Sequence, residues 1–370
     1  MRINAFFTSI CLVVSGVIFS ACHKSEVTDL HSPLEHTPSY IALATSANPK
    51  HDTSYTFSIS DTGSISNIQT IGAIYNSKIV KYRNRLLIPV DDGLKLIDHK
   101  GSLSRLATFA SPGVLAGATT SPNHRYAAFA FQNEQASNRD RSDAHIVKSF
   151  GESSSADVDT SSHPLGLTVC NDGSLLWVDS NESQTFVASD QAGETHVADL
   201  DIPFASIIQA TFDCNNNSLL VVHEEADQTA ASLFGINEGY IALRDKQLLV
   251  DIFHIDVPGG ISGLHDGILL ISREGKYVRI SGVEKITIEN GELPLVQNRV
   301  QSIDSDGQFL NIIHLADSSE ANIWITSFLL SDLATPLRST EIPNSSFSED
   351  NTISNLVNGD SVISSIILLR

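Results

Sequence analysis

Apolar residues in this chain come in short runs, cut by polar turns rich in Asn, Asp and Gly. Leu167-Thr168-Val169, then Cys170-Asn171-Asp172-Gly173-Ser174, then Leu175-Leu176-Trp177-Val178 sets the pattern. It reads as strand, tight turn, strand, because Asn-Asp-Gly can take the positive-φ positions of a hairpin and apolar runs flank it. From Tyr40 onward the same signal recurs, and no long amphipathic helix competes with it.

Lys78 to Tyr82, Arg85 to Val90, Leu94 to Ile97 and Leu103 to Phe109 give four strands in about 40 residues, the content of one propeller blade. The second-strand signal then returns at Tyr126 to Phe131, Leu175 to Val178, Leu219 to Val222, Ile268 to Ile271, Phe309 to Ile313 and Val362 to Leu369. The turns preceding these strands, at positions 84, 124, 173, 217, 267, 307 and 359, are spaced 40, 49, 44, 50, 40 and 52 apart. Blades show such periods.

A four-stranded sheet with two apolar faces cannot hide both alone, and radial stacking hides them while leaving only short edges. The spacing therefore predicts an all-β fold, a β-propeller over residues 40–370 with seven blades, or eight if the terminal groups form separate blades. Tyr40 to Ile71 supplies about three strands and Asn351 to Leu369 two, and joining them would shut the ring. The even period disfavours a pair of β-sandwiches. Gln132 to His163 breaks it, being long, polar and rich in Ser, Asp and Asn; it is expected to be largely disordered, with His145 to Phe150 as a strand candidate. Ala226 to Pro258 reads as ordinary blade strands with longer turns.

Two motifs carry a family resemblance. Ser121-Pro122-Asn123-His124-Arg125-Tyr126-Ala127-Ala128-Phe129 resembles the Ser-Pro-Asp-Gly-x-Tyr-x-Ala-Phe signature of bacterial WD-repeat-like propellers. Cys170 to Val178 is similar to the Asp-Gly-x-Leu-Trp-Val stretch of YVTN and NHL blades. Asn123-His124 departs from Asp-Gly, and no Trp-Asp dipeptide occurs, so the resemblance implies the fold and no subfamily.

The N-terminus adds an address. Residues 1–21 read as an export signal, with Arg2 as a minimal positive region and a mostly apolar stretch from Ala5 to Phe19 that is short for a membrane span. Phe19-Ser20-Ala21-Cys22 resembles the bacterial lipobox, with Phe19 in place of the usual Leu. The resemblance implies cleavage after Ala21, diacylglyceryl on Cys22 and usually an N-acyl (palmitate-type) chain; two or more chains anchor stably. An ordinary signal peptide is the alternative. Residues 22–39, polar and without period, read as a flexible tether with a reach of roughly 20–25 Å. The expected location is membrane-anchored, facing the periplasm or the cell exterior.

The formal net charge of −20 makes nucleic acid a poor candidate partner, since such a surface repels phosphate backbones. Of four cysteines, Cys11 lies in the signal and Cys22 at the lipid site. Cys170 and Cys214 stand at equivalent places in consecutive repeats, each four positions before Ser-Leu-Leu, so a disulfide and two buried thiols are both open. Metal ligation finds no supporting spacing. His23, His31 and His36 fit no ligand pattern, and His223-Glu224-Glu225 and His254-Ile255-Asp256 adjoin strands that point neighbours to opposite faces. Asp304-Ser305-Asp306-Gly307 mimics the start of a calcium loop without its downstream Glu, and reads better as a blade turn. No nucleophile elbow, phosphate loop or dinucleotide fingerprint occurs, so no catalytic residue and no cofactor is assigned.

Two functional readings follow. The first is a noncatalytic propeller platform for a protein partner, held to the membrane through lipid. The second is an enzyme or small-molecule binder working at the central funnel, such as a hydrolase, lyase or quinone-dependent dehydrogenase. The second predicts polar groups and shifted titrations clustered at one mouth of the axis.

Overall fold

The computed structural model describes residues 39–369 apart from 47–53, 75–76, 99–101, 109–113, 133–144, 152–154, 161–163, 180–184, 191–192, 201–206, 226–227, 238–239, 250–257, 298, 316–321 and 344–360. The strands fall into seven four-stranded antiparallel sheets, the blades of a seven-bladed β-propeller. Blade 1 holds β1 (Ser39–Ser46), β2 (Ser54–Ile59) and β3 (Ile65–Thr70), and blade 2 holds β4 (Val80–Tyr82), β5 (Arg85–Val90), β6 (Gly93–Ile97) and β7 (Leu103–Thr108). Blade 3 is β8 (Leu115–Thr120), β9 (Ala127–Gln132), β10 (His145–Phe150) and β11 (Ser155–Thr160). Blade 4 is β12 (Pro164–Val169), β13 (Leu175–Asp179), β14 (Thr185–Ser189) and β15 (Thr195–Asp199). Blade 5 is β16 (Ile207–Asp213), β17 (Ser218–Glu225), β18 (Gln228–Asn237) and β19 (Tyr240–Leu248). Blade 6 is β20 (Pro258–Leu264), β21 (Gly267–Ser272), β22 (Lys276–Gly282) and β23 (Ile286–Glu292). Blade 7 is β24 (Arg299–Ser305), β25 (Phe309–Leu315), β26 (Ile323–Leu329) and β27 (Asp332–Ile342), and β28 (Ser361–Leu369) returns to blade 1.

The ring shuts because β28 pairs antiparallel with β1, Tyr40 opposite Leu368 and Ala42 opposite Ile366. Three strands from one end of the array and one from the other complete blade 1. This differs in detail from the sequence expectation. Val362 to Leu369 is an innermost strand, not a second strand after a turn at 359; both positions are flanked by apolar neighbours, so both demand the same composition. Residues 351–360, where another strand was expected, lie outside the described residues.

The core is partitioned as the stacking argument requires. Seven clusters of buried side chains each lie between two consecutive blades. Blades 3 and 4 enclose Trp177, Val147, Val169 and Leu175, and blades 7 and 1 enclose Phe57, Ile313, Ile325 and Ile366. Within blades, second strands such as β9, β21 and β25 are buried along almost their whole length, while the outermost β7, β15 and β19 are largely exposed. Each second strand is covered by sheets on both faces; each outermost strand has one side in water.

One expectation is corrected. Within Gln132 to His163, expected to be largely disordered, the described residues form strands: β10, at the candidate His145–Phe150, pairs in unbroken register with β9 and with β11. The strands His-Ile-Val-Lys-Ser-Phe and Ser-Ala-Asp-Val-Asp-Thr alternate polar and apolar, burying Val147 and Val158 against blade 4. Their polar faces, read as composition, concealed that period.

Candidate functional site

The innermost strands β4, β8, β12, β16, β20, β24 and β28 line an axial channel with a cavity of about 620 Å³. Its wall is made mostly of small and aliphatic residues, among them Gly117, Gly166, Gly263, Ala116, Ala210 and Ile303. The charged side chains on this wall are Lys78, Lys81, Asp304 and Asp306, with His265 beside them.

Three of these groups, Lys81, Asp306 and His265, gather with His124 where the innermost strands turn back into the second strands. Lys81, the middle residue of β4, reaches Asp306 at 2.6 Å, and the Asp306 side chain is only 1% exposed. The other Asp306 carboxylate oxygen accepts the backbone N–H groups of Gln308 and Phe309, at 3.1 and 2.8 Å, so this acid also shapes its own turn. The Lys81 ammonium lies 5.4 Å from the centre of the Phe309 ring. His124 stands in the β8–β9 turn at φ 56, in the left-handed region where Gly173 and Gly307 serve the corresponding turns. Burial lowers its pKa, and the neighbouring Lys81 adds to the effect. His265, just after β20, is likewise lowered by burial. Both imidazoles are therefore neutral at pH 7. His265 also dictates its neighbour: a Cβ at Gly307, where φ is +86, would lie 2.9 Å from His265 Nε2.

Around the same mouth, links run from blade to blade. Arg83 N donates to His124 O at 2.6 Å between blades 2 and 3. Asn123 N donates to Asn171 Oδ1 at 3.0 Å between blades 3 and 4. Cys170 and Cys214 are joined by a disulfide between blades 4 and 5, with Cα atoms 5.7 Å apart. Thr211 Oγ1 donates to Leu264 O between blades 5 and 6, and Ser262 and Ser305 hydroxyls meet at 2.9 Å between blades 6 and 7. Asp304 Oδ2 accepts from Ser365 Oγ and from Ile366 N at 3.0 Å, tying blade 7 to β28. Ile79 N donates to Ser365 Oγ at 3.0 Å, which completes the circuit to blade 2. Asp304 is buried, and that burial raises its carboxyl pKa, while Lys78, Ser365 and Ile366 oppose the shift.

The other sequence candidates fall elsewhere. His223 is buried in β17 with Nε2 2.9 Å from Ser232 Oγ, and Glu225 pairs with Lys246. Asp304-Ser305-Asp306-Gly307 forms the end of β24 and its turn. Cys22, His23, His31, His36 and His254 lie outside the described residues. Sequence reasoning did not bring Lys78, Lys81, His124, His265, Asp304 and Asp306 together. The signal that could have found most of them is positional. Lys81, His124, His265 and Asp306 each sit at or beside an inner-strand turn, and superimposing the seven repeats puts them at one level.

Comparison with known proteins gives the fold and nothing narrower. No family model matches the sequence, and no curated protein matches it. Among solved structures it is similar to a protein from Lactobacillus plantarum, at 10% identity and TM-score 0.52, covering 90% of this chain and 100% of that one. It is also similar to a candidate 6-phosphogluconolactonase from Bacteroides fragilis, at 11% identity and TM-score 0.51, covering 92% and 99%. At such identity the likeness is one of fold alone. The fold suits a binding or scaffold role, because it holds loops and a central cavity on a stiff ring.

Proposed function

We propose that this chain is an exported, lipid-anchored cell-envelope protein whose propeller serves as a noncatalytic platform for a protein partner. The observation that carries the platform reading is the linked mouth. A contact crosses every blade boundary there, so the turns bearing Asn123, Arg125, Asn171, Asp172, Asn216 and Asp266 form a polar face with little freedom to rearrange. A preordered face binds without the entropic cost of ordering loops. The anchor reading rests on the lipobox-like Phe19-Ser20-Ala21-Cys22. Both parts are tested in native cells. Cys22→Ser should move the protein from the membrane to the soluble fraction; crosslinking and pull-down from native membranes should recover a specific partner, and recovery of none would refute the platform.

A second reading, a small-molecule site in the channel, is favoured by a different observation. The Lys81–Asp306 pair, His124 and His265 converge at one mouth, and both histidines have lowered pKa values. Polar groups with displaced titrations converging on a cavity of about 620 Å³ are what a ligand site presents.

A further inference from the structure

The innermost strands share an irregularity in their pairing with the second strands. In six blades their pairing with the second strand slips at one place. The slip falls between Leu115 and Gly117, Leu165 and Thr168, Ile207 and Gln209, Pro258 and Gly260, and Val300 and Ser302. On β28 it leaves Ser364 between Ile363 and Ser365 without a partner on β1. Each slip is a β-bulge, which sets one residue outside the hydrogen-bonded ladder and re-aims its backbone. Ala116, Gly166, Leu167, Ile208, Gln301 and Ser364, the residues at five of these slips, all line the channel. The channel thus has a belt of backbone released from pairing, lined by side chains that are mostly small or uncharged.

Lys78 stands at that belt. Its neighbours Ser77 and Ile79 bond to Ser364 and Ser365, at the bulge of β28. Lys78 lines the channel, is exposed to it, and forms no ion pair within 4 Å among the described residues. The other charges on the wall are already engaged: Asp306 with Lys81, and Asp304, buried, with Ser365 and Ile366. Lys78 thus faces the channel with buried Asp304 as its electrostatic neighbour, and no carboxylate among the described residues pairs with its ammonium within 4 Å. Low-dielectric walls focus such a charge onto whatever enters.

We propose that the channel holds a small anion at the level of the bulge belt, with a carboxylate or phosphate group against Lys78. The inference rests on the channel reading above and names the class of ligand. It forms no bond and needs no co-reactant.

The test uses the full chain purified in detergent, with isothermal titration and thermal shift. The probes are inorganic phosphate, citrate, glucose as a neutral control and choline as a cationic one, all against sodium chloride at matched ionic strength. Phosphate or citrate should bind and raise the melting midpoint where chloride does not, and which of the two binds tells phosphate from carboxylate recognition. Lys78→Met should weaken that binding at least tenfold, and Lys78→Arg should keep it within about threefold; Lys78 is exposed, so neither change threatens folding. Binding of glucose or choline alone, or anion binding indifferent to Lys78→Met, would overturn the anion assignment and leave a channel site standing. Failure of all four probes to bind would overturn both.

Discussion

One carboxyl group helps tie blade 7 to the closing strand β28, and removing it should be measurable. Asp304 on β24 accepts two hydrogen bonds from β28, from Ser365 Oγ and from the Ile366 N–H at 3.0 Å. Asp304→Ala leaves the buried Ile366 N–H without an acceptor and takes the Ser365 hydroxyl's acceptor as well. An orphaned buried donor costs about 1–3 kcal/mol, and the small void adds to it, so a loss of about 2–4 kcal/mol is expected. Asp304→Asn can keep an amide oxygen where Oδ2 accepts from both Ser365 Oγ and the Ile366 N–H, so its loss at pH 7 should stay below about 1 kcal/mol. The pH dependence has a definite sign. Burial raises the folded-state pKa of Asp304 above its unfolded value. Between the two values the folded chain holds a proton that the unfolded chain has released. Wild-type stability from this group therefore falls as pH climbs from about 4 through the folded pKa, and Asp304→Asn lacks that fall. Urea unfolding followed by tryptophan fluorescence, with Trp324 in the same blade 7 as Asp304 and Trp177 in blade 4, reads both effects. Asp304→Ala within about 0.5 kcal/mol of wild type, or Asp304→Asn as damaging as Asp304→Ala, would refute the account.

Three further outcomes are expected. The Cys170–Cys214 bond closes a span of 44 residues, worth up to about 4 kcal/mol on a chain-entropy basis; reductant should lower the unfolding midpoint of wild type and leave that of the Cys170→Ser/Cys214→Ser double variant unchanged. His314, fully buried with Nε2 2.8 Å from Thr326 Oγ1, has its pKa lowered by burial to about 4. The unfolded chain takes up that proton first as pH falls, so this stabilisation is whole above about 6.5 and about 3 kcal/mol is lost by pH 4; denaturation across that window should be flatter in His314→Gln. Gly307→Ala meets both a left-handed φ and the His265 ring, and should cost about 1–3 kcal/mol in the same urea assay, more than an alanine at exposed Gly263, where φ is ordinary and the nearest atom is 3.4 Å away.

The repeat was legible because it is local. A turn residue able to adopt positive φ followed by an apolar run fixes a hairpin without reference to the rest of the chain, as at Gly173 and Asn217. The spacing favoured seven blades and left eight open, and the pairing of β28 with β1 decides for seven. Two things were hidden. β10 was offered as a strand candidate, but β11 carries so many polar residues that only its partners, β10 and blade 4, reveal it as a strand. The channel cluster was hidden for a geometric reason. Lys78 and Asp304 are separated by 226 positions and come close enough to influence each other's charge only because blade 1 lies between blades 7 and 2, a fact no local window contains.

The partnership of β1 with β28 also sets a temporal order. A ribosome delivers β1, β2 and β3 about 300 residues before the strand that covers their inner side. Until then the Tyr40–Ala44 stretch, which ends fully enclosed, offers an unpaired edge to any neighbouring polypeptide. A premature stop codon late in the reading frame would therefore do more than trim a terminus. It would make that waiting permanent and leave a chain primed to stick to its own copies.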